Sequence, residues 1–190
     1  LILGSKFEHN DYTGFEIQPT GRLLWTPSEN HTFWGSISRA VRTPSWGESY
    51  GSIPTAVLPP MPLNPFPTVI SLNGNDHLDS EELIAYELGY RFHPGPYFSF
   101  DATAFYNDYS NLINGRLGEP QLVTTPTPHV EMPINGVNNL EGKSYGFEFA
   151  ADWKALPRWR LQAAYTYLQL ILRVKDGEEF YLDASDGRSP

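Results

Sequence analysis

The stretch "YELGYRFHPGPYFSFDATAFYND", Tyr86 to Asp108, decides the fold. Tyr86, Leu88, Tyr90 and Phe92 fall on one face of an extended chain, with Glu87, Gly89, Arg91 and His93 on the other. A proline and glycine turn follows. Phe98, Phe100, Ala102, Ala104 and Tyr106 then alternate with Ser99, Asp101, Thr103, Phe105 and Asn107. Period-two alternation of this length predicts two antiparallel strands joined by a tight turn. The apolar face points into a core if the protein is a soluble sandwich, and into lipid if it is a membrane barrel.

Working outward, the same pattern recurs. Leu1 to His9 predicts a strand and "NDYTG", Asn10 to Gly14, a turn. In the next strand Phe15, Ile17, Leu23 and Trp25 share a face opposite Glu16, Gln18, Thr20 and Arg22, with Pro19 weakening its middle. "TPSENH", Thr26 to His31, predicts a turn, and Thr32 to Arg42 a strand whose faces are hard to separate, because Arg39 shares a side with Phe33, Ile37 and Val41. After the opening hairpin, Gly142 to Lys154 and Trp159 to Leu172 alternate again around "ALPR". The expected fold is all-β, an antiparallel meander of about seven strands.

The connections carry more information than the strands. Residues 43–79 and 114–139 are rich in Pro, Gly, Ser and Asn and predict long loops, the second holding a β-prone "QLVTT". The turns at 26–31, 93–97 and 155–158 are short. Short turns at one end and long loops at the other are the pattern of an outer-membrane barrel, with the loops at 43–79, at 114–139 and after 172 outside. Tilted strands need about 9 to 11 residues to cross the hydrocarbon, more than the usual 5 or 6 of soluble strands. Trp25 with Phe33 and Trp153 with Trp159 bracket two of the short turns, where interface aromatics belong. Glu16, Arg22, Arg42, Glu87, Arg91, Asp101, Glu148, Asp152 and Gln162 would then line a solvated lumen.

Composition narrows the chemistry. The 190 residues carry a net charge of −9 with no cluster of Lys and Arg expected of a phosphate-backbone binder, which argues against a nucleic-acid partner. The absence of cysteine removes disulfides, thiolate metal sites and cysteine nucleophiles. No apolar run is long enough for a transmembrane helix, and the N-terminus lacks the features of a signal peptide; neither argues against a barrel. "EHND", Glu8 to Asp11, and "NGNDHLDSEE", Asn73 to Glu82, gather oxygen and imidazole ligands without the spacing of a metal site, and predict a strand end and a solvated loop. Asn30-His31-Thr32 is a weak glycosylation match. No phosphate loop, HExxH or nucleophile elbow occurs, so no enzyme and no cofactor is expected.

"LGSKFEHNDYTGFEIQPTGRLLWTP", "FWGSISRAVRTPS", "YELGYRF", "FDATAFYNDYSNLI" and "SYGFEFAADWKALPRWRLQAAYTYL", in that order, resemble the β-barrel of a TonB-dependent outer-membrane receptor. The resemblance implies a 22-stranded barrel in the bacterial outer membrane, enclosing a plug. It also implies uptake of a scarce ligand such as a ferric siderophore, haem or cobalamin, driven through the TonB complex. Plug and TonB-binding segment would lie outside these residues, making the chain a piece from the middle of one barrel domain. Seven strands fall short of the about eight of the smallest barrels, so an isolated piece is expected to form an open sheet or to associate through its edges. Family members capture ligand with outer loops, which makes Trp46, Tyr50 and Phe66 the candidate contacts. Two readings from other classes remain at this point: a soluble extracellular β-sandwich binding carbohydrate on its aromatics, and an acidic β-rich hydrolase.

Overall fold

The computed structural model describes residues 1–175. Seven long strands dominate it: β1 (Ile2–Asn10), β2 (Gly14–Ser28), β3 (His31–Arg42), β6 (Glu81–Gly95), β7 (Phe98–Leu117), β9 (His129–Leu156) and β10 (Trp159–Val174). They pair antiparallel in the order β1, β2, β3, β6, β7, β9, β10. The three turns Glu29–Asn30, Pro96–Tyr97 and Pro157–Arg158 lie at one end of this meander. The longer connections lie at the other, the loop end. The loop expected after residue 172 falls almost wholly outside the described residues.

The predicted hairpin is the centre of the sheet. Tyr86 faces Tyr106, Leu88 faces Ala104 and Phe92 faces Phe100 across β6 and β7. Pro19 does not interrupt β2, where it pairs with Ser5. The ambiguity of β3 has a physical cause on each face. Trp34 lies on the polar side and covers Gly89, its cross-strand partner, so that a Cβ at Gly89 would run into the indole. Phe105 covers Gly146 in the same way. Such aromatic cover shields glycine backbone that has no side chain of its own. On the apolar side, Arg39 sits where the β2–β3 ladder ends at Thr20 and Ser38. Its Nη1 donates to Ile17 O, a carbonyl beyond the last ladder pair, while the Val41 N–H donates to Gln18 Oε1 at 3.4 Å.

The two segments expected to be loops carry structure of their own. Residues 43–79 hold a one-turn helix α1 (Trp46–Tyr50) and a hairpin of β4 (Ser52–Leu58) and β5 (Thr68–Asn73). β5 passes the ends of β6 and β7 and pairs in parallel with the first part of β9, Thr68 opposite Val130 through Asn73 opposite Asn135. In residues 114–139, β7 runs on to Leu117 and β9 starts at His129, while "QLV" forms β8 (Gln121–Val123) against β9.

The sheet has two unlike faces. On the face of Tyr86 and Leu88, apolar side chains run along β6 from Ile84 to Phe92 and along β9 from Tyr145 to Trp153. That is about 26 Å of strand at ~3.3 Å per residue, or about 20 Å of height for a strand tilted by ~40°. At the turn end the rings of Trp25, Phe33, Tyr90 and Phe100 follow one another across four strands at 5.3, 4.8 and 6.5 Å between centroids. Beyond the band, towards the loop end, this face turns charged: Asp108 lies opposite Lys143, and Glu141 opposite Arg173. Nothing among the described residues covers the band. Leu88 is 64% exposed and Trp25 60%, and Leu78 is the one buried hydrophobic residue among the described ones.

Candidate functional site

Register places Glu16, Arg22, Arg42, Glu87, Arg91, Asp101, Glu148, Asp152 and Gln162 together on the opposite, polar face. Two pairs among them engage each other, and others take neighbouring partners. Arg91 pairs with Asp101, Ser36 Oγ donates to Glu87 at 2.9 Å, and Asp152 accepts from Gln162 Nε2 at 2.9 Å and from Arg160. Glu16 is buried rather than open on the face: it accepts from Ser80 Oγ at 2.6 Å and lies 3.6 Å from Arg39.

Arg42 organises the loop end. Its Nε donates to Glu81 Oε2 at 2.6 Å, while Nη1 and Nη2 donate to the two carboxylate oxygens of Glu48 in α1, both at 3.0 Å. The other oxygen of Glu81 accepts the Ile113 N–H at 2.8 Å, beside irregularities in the β7–β9 register and the positive φ of 55° at Asn111. One guanidinium therefore joins the end of β3, the start of β6, an irregular stretch of β7 and the helix. Its planar fork suits the two-point contact with Glu48.

The helix exists because of the same carboxylate. Glu48 Oε2 accepts from the Ser45 N–H and Oγ, each at 2.8 Å, and the Glu48 N–H donates back to Ser45 Oγ, closing a capping box. Arg42 and then Ser45 hold the Glu48 carboxyl down at about 2, from an ordinary 4.5. Because the folded value is the lower one, this anchor is complete above about pH 4.5 and weakens as pH falls towards 2. We expect hydrogen exchange at residues 46–50 to accelerate over that window, with β6 and β7 unchanged away from Glu81 and Ile113. Equal protection of α1 at pH 5 and pH 2.5 would show that the carboxylate does not hold it.

α1 and the segment after β5 lie across the polar face. A Cβ on Gly136 of β9 would sit 3.5 Å from Leu78 and 3.9 Å from Glu48 O, and Gly74 approaches the backbone of Glu48 and Ser49 so closely that a side chain would not fit. Asn75 Nδ2 donates to Gly136 O at 3.0 Å, and Asn138 exchanges hydrogen bonds with Asp79 backbone at 2.8 and 3.0 Å. The oxygen-rich "NGNDHLDSEE" is thus divided among separate partners, Glu81 on Arg42 and Glu82 on Arg39, rather than gathered at one centre. Under the hairpin remains a cleft of about 480 Å³ lined by Glu48, Ile53, Leu72, Asn114 and Ile134 among others.

The sequence-predicted loop aromatics are spread out. Trp46 and Tyr50 stand exposed on α1, Tyr50 reaching Tyr12 at 6.4 Å, whereas half-buried Phe66 sits at the far end of the hairpin. Trp25 and Phe33 stack at 5.3 Å, and Trp153 and Trp159, 50% and 64% exposed, flank the β9–β10 turn. "EHND" is a strand end: Glu8 pairs with Lys6, and Asn10 Oδ1 accepts the N–H groups of Tyr12 and Thr13 at 2.9 and 2.8 Å. Of the residues that sequence reasoning did not single out, Glu48 had a signal, the S-x-x-E of "SWGE". Asn138 had none.

None of the curated proteins matches the chain in sequence. Among solved structures it resembles the siderophore receptor PirA from Acinetobacter baumannii, with a TM-score of 0.66 and 20% identity over 89% of this chain and 25% of that one. PirA from Pseudomonas aeruginosa gives a TM-score of 0.65 and 22% identity over 92% and 31%. A ferric enterobactin receptor mutant, PfeA from Pseudomonas aeruginosa in complex with enterobactin, gives 0.55 and 20% over 86% and 29%. The chain therefore spans between a quarter and a third of the length of these receptors. The profile of the family described as TonB dependent receptor-like, beta-barrel, matches residues 1–189. The chain belongs to that family.

Proposed function

We propose that this chain is a section of the wall of a bacterial outer-membrane transporter that takes up a ferric siderophore and draws on the TonB complex. The apolar band meets lipid, the polar face lines the lumen, and the short turns lie on the periplasmic side. The segment from Thr43 to Asp79 folds inward over the outer mouth, where Trp46 and the cleft under the hairpin face incoming ligand. The uncovered band carries this reading. A sandwich would bury these side chains between two sheets about 10 Å apart, yet Leu23, Leu88 and Trp25 remain 58%, 64% and 60% exposed.

Support for a ferric siderophore as ligand comes from the neighbours, which are described as siderophore and ferric enterobactin receptors. Cells producing the full-length receptor should accumulate labelled iron supplied as a ferric siderophore, with ferric enterobactin the first probe, and lose the uptake when TonB is deleted. Absence of uptake in cells with TonB would overturn the transport reading, and uptake that persists without TonB would overturn the coupling to the TonB complex. Binding of soluble oligosaccharide by a dispersed, lipid-free protein would favour the sandwich module instead.

A further inference from the structure

We propose that the β9–β10 turn is a binding site for the phosphate headgroup of an anionic phospholipid. In a chain of net charge −9, three of the 13 Lys and Arg residues fall within "KALPRWR", Lys154 to Arg160. The neighbouring turns Glu29–Asn30 and Pro96–Tyr97 hold no cation. Arg160 is held by Asp152, its Nε lying 3.0 and 2.9 Å from the two carboxylate oxygens. Lys154 and Arg158 are exposed and make no side-chain hydrogen bond or ion pair among the described residues.

Around these two cations the surface is apolar. Trp153, Leu156, Trp159 and Tyr97 are 50%, 60%, 64% and 68% exposed, and with the cations they line a cleft of about 870 Å³. The Lys154 N–H donates to Tyr97 O at 2.8 Å, which fixes the two turns side by side. Free phosphate would use the cations and gain nothing from the rings and Leu156. A lipid uses both, with its phosphate on Lys154 and Arg158 and its glycerol and upper acyl carbons against the tryptophans. Cations near an anionic leaflet act in this way elsewhere. The inference rests on the reading that the apolar band faces lipid.

The test places the full-length receptor in nanodiscs of mixed phosphatidylglycerol and phosphatidylcholine and counts the lipids retained on release by native mass spectrometry. Wild type should retain phosphatidylglycerol preferentially and lose the preference as salt is raised. Lys154→Gln with Arg158→Gln should weaken the preference about 5-fold per cation, about 25-fold together. Inorganic phosphate should not displace the lipid. A preference that is absent in wild type, unchanged in the double variant or insensitive to salt would overturn the site. So would displacement by inorganic phosphate, or capture of an acidic protein through the same cations in place of lipid. Failure of wild type to embed in either lipid would strike the lipid-facing reading itself.

Discussion

Leu88→Arg is expected to prevent the full-length receptor from reaching a stable barrel in the outer membrane, while Thr166→Arg assembles as wild type does. Leu88 lies midway along the apolar stripe of β6, 64% exposed, with Gly35 and Ala104 as its cross-strand neighbours. Arg at a lipid-facing midplane position of a β-barrel costs about 2 to 4 kcal/mol, a large share of the about 5 to 15 kcal/mol that holds a typical protein folded. Thr166 sits on the polar face of β10, exposed and opposite Glu148, where a guanidinium meets water and a carboxylate. Gly89, next to Leu88, is unsuited to be the polar-face control, because any side chain there collides with Trp34. Heat-modifiable migration on gels and urea midpoints read the difference. Equal assembly of both variants would remove the distinction between the faces.

Arg42→Ala should free the inward-folded segment without dissolving the sheet. The substitution removes three charge-assisted hydrogen bonds and leaves Glu48 and Glu81 facing each other without a cation. Buried, such bonds are worth about 1.5 to 3 kcal/mol each. The Arg42 side chain is 50% exposed, so solvent screening reduces the sum to about 2 to 3 kcal/mol. The loss is local: limited proteolysis should cut between residues 43 and 79 faster by a factor of about 30 for ~2 kcal/mol, with the barrel fragment intact. Arg42→Lys should rescue little, since a single ammonium does not match the two-point contact with Glu48. Unchanged cleavage in Arg42→Ala would mean that the β5–β9 ladder holds the segment by itself.

The sequence announced the seven long strands and their turn ends because each strand keeps one apolar face along its crossing, and alternation survives where both environments are uniform. It did not announce the start of β9, "HVEMPINGVNNL", whose alternation is lost where Leu78 and Glu48 lie over Gly136 and β5 pairs along the edge. β4 and β5 were hidden by the prolines of "PTAVLPPMPLNPFP" and by a parallel pairing between residues far apart in the chain. The position of Arg42 beside the longest loop was legible in the sequence. Its choice of Glu48 and Glu81 was not, since neither spacing nor residue type distinguishes them from Glu82. Likewise Arg39, in sequence a charge out of place on an apolar face, has its reason in the opening between β2 and β3.

Spin labels test directly whether the face of Tyr86, Leu88, Tyr90 and Phe92 meets lipid, as proposed. The chain has no cysteine of its own to compete with single cysteines placed from Leu83 to Phe92, and spin labels go onto these in a full-length receptor stripped of any cysteine elsewhere. In bilayers, labels at 84, 86, 88, 90 and 92 should show high collision with oxygen and low collision with a water-soluble nickel chelate. Labels at 83, 85, 87 and 91 should show the reverse or be shielded from both. A period-two profile in the opposite phase, or no alternation, would mean that this face does not meet lipid.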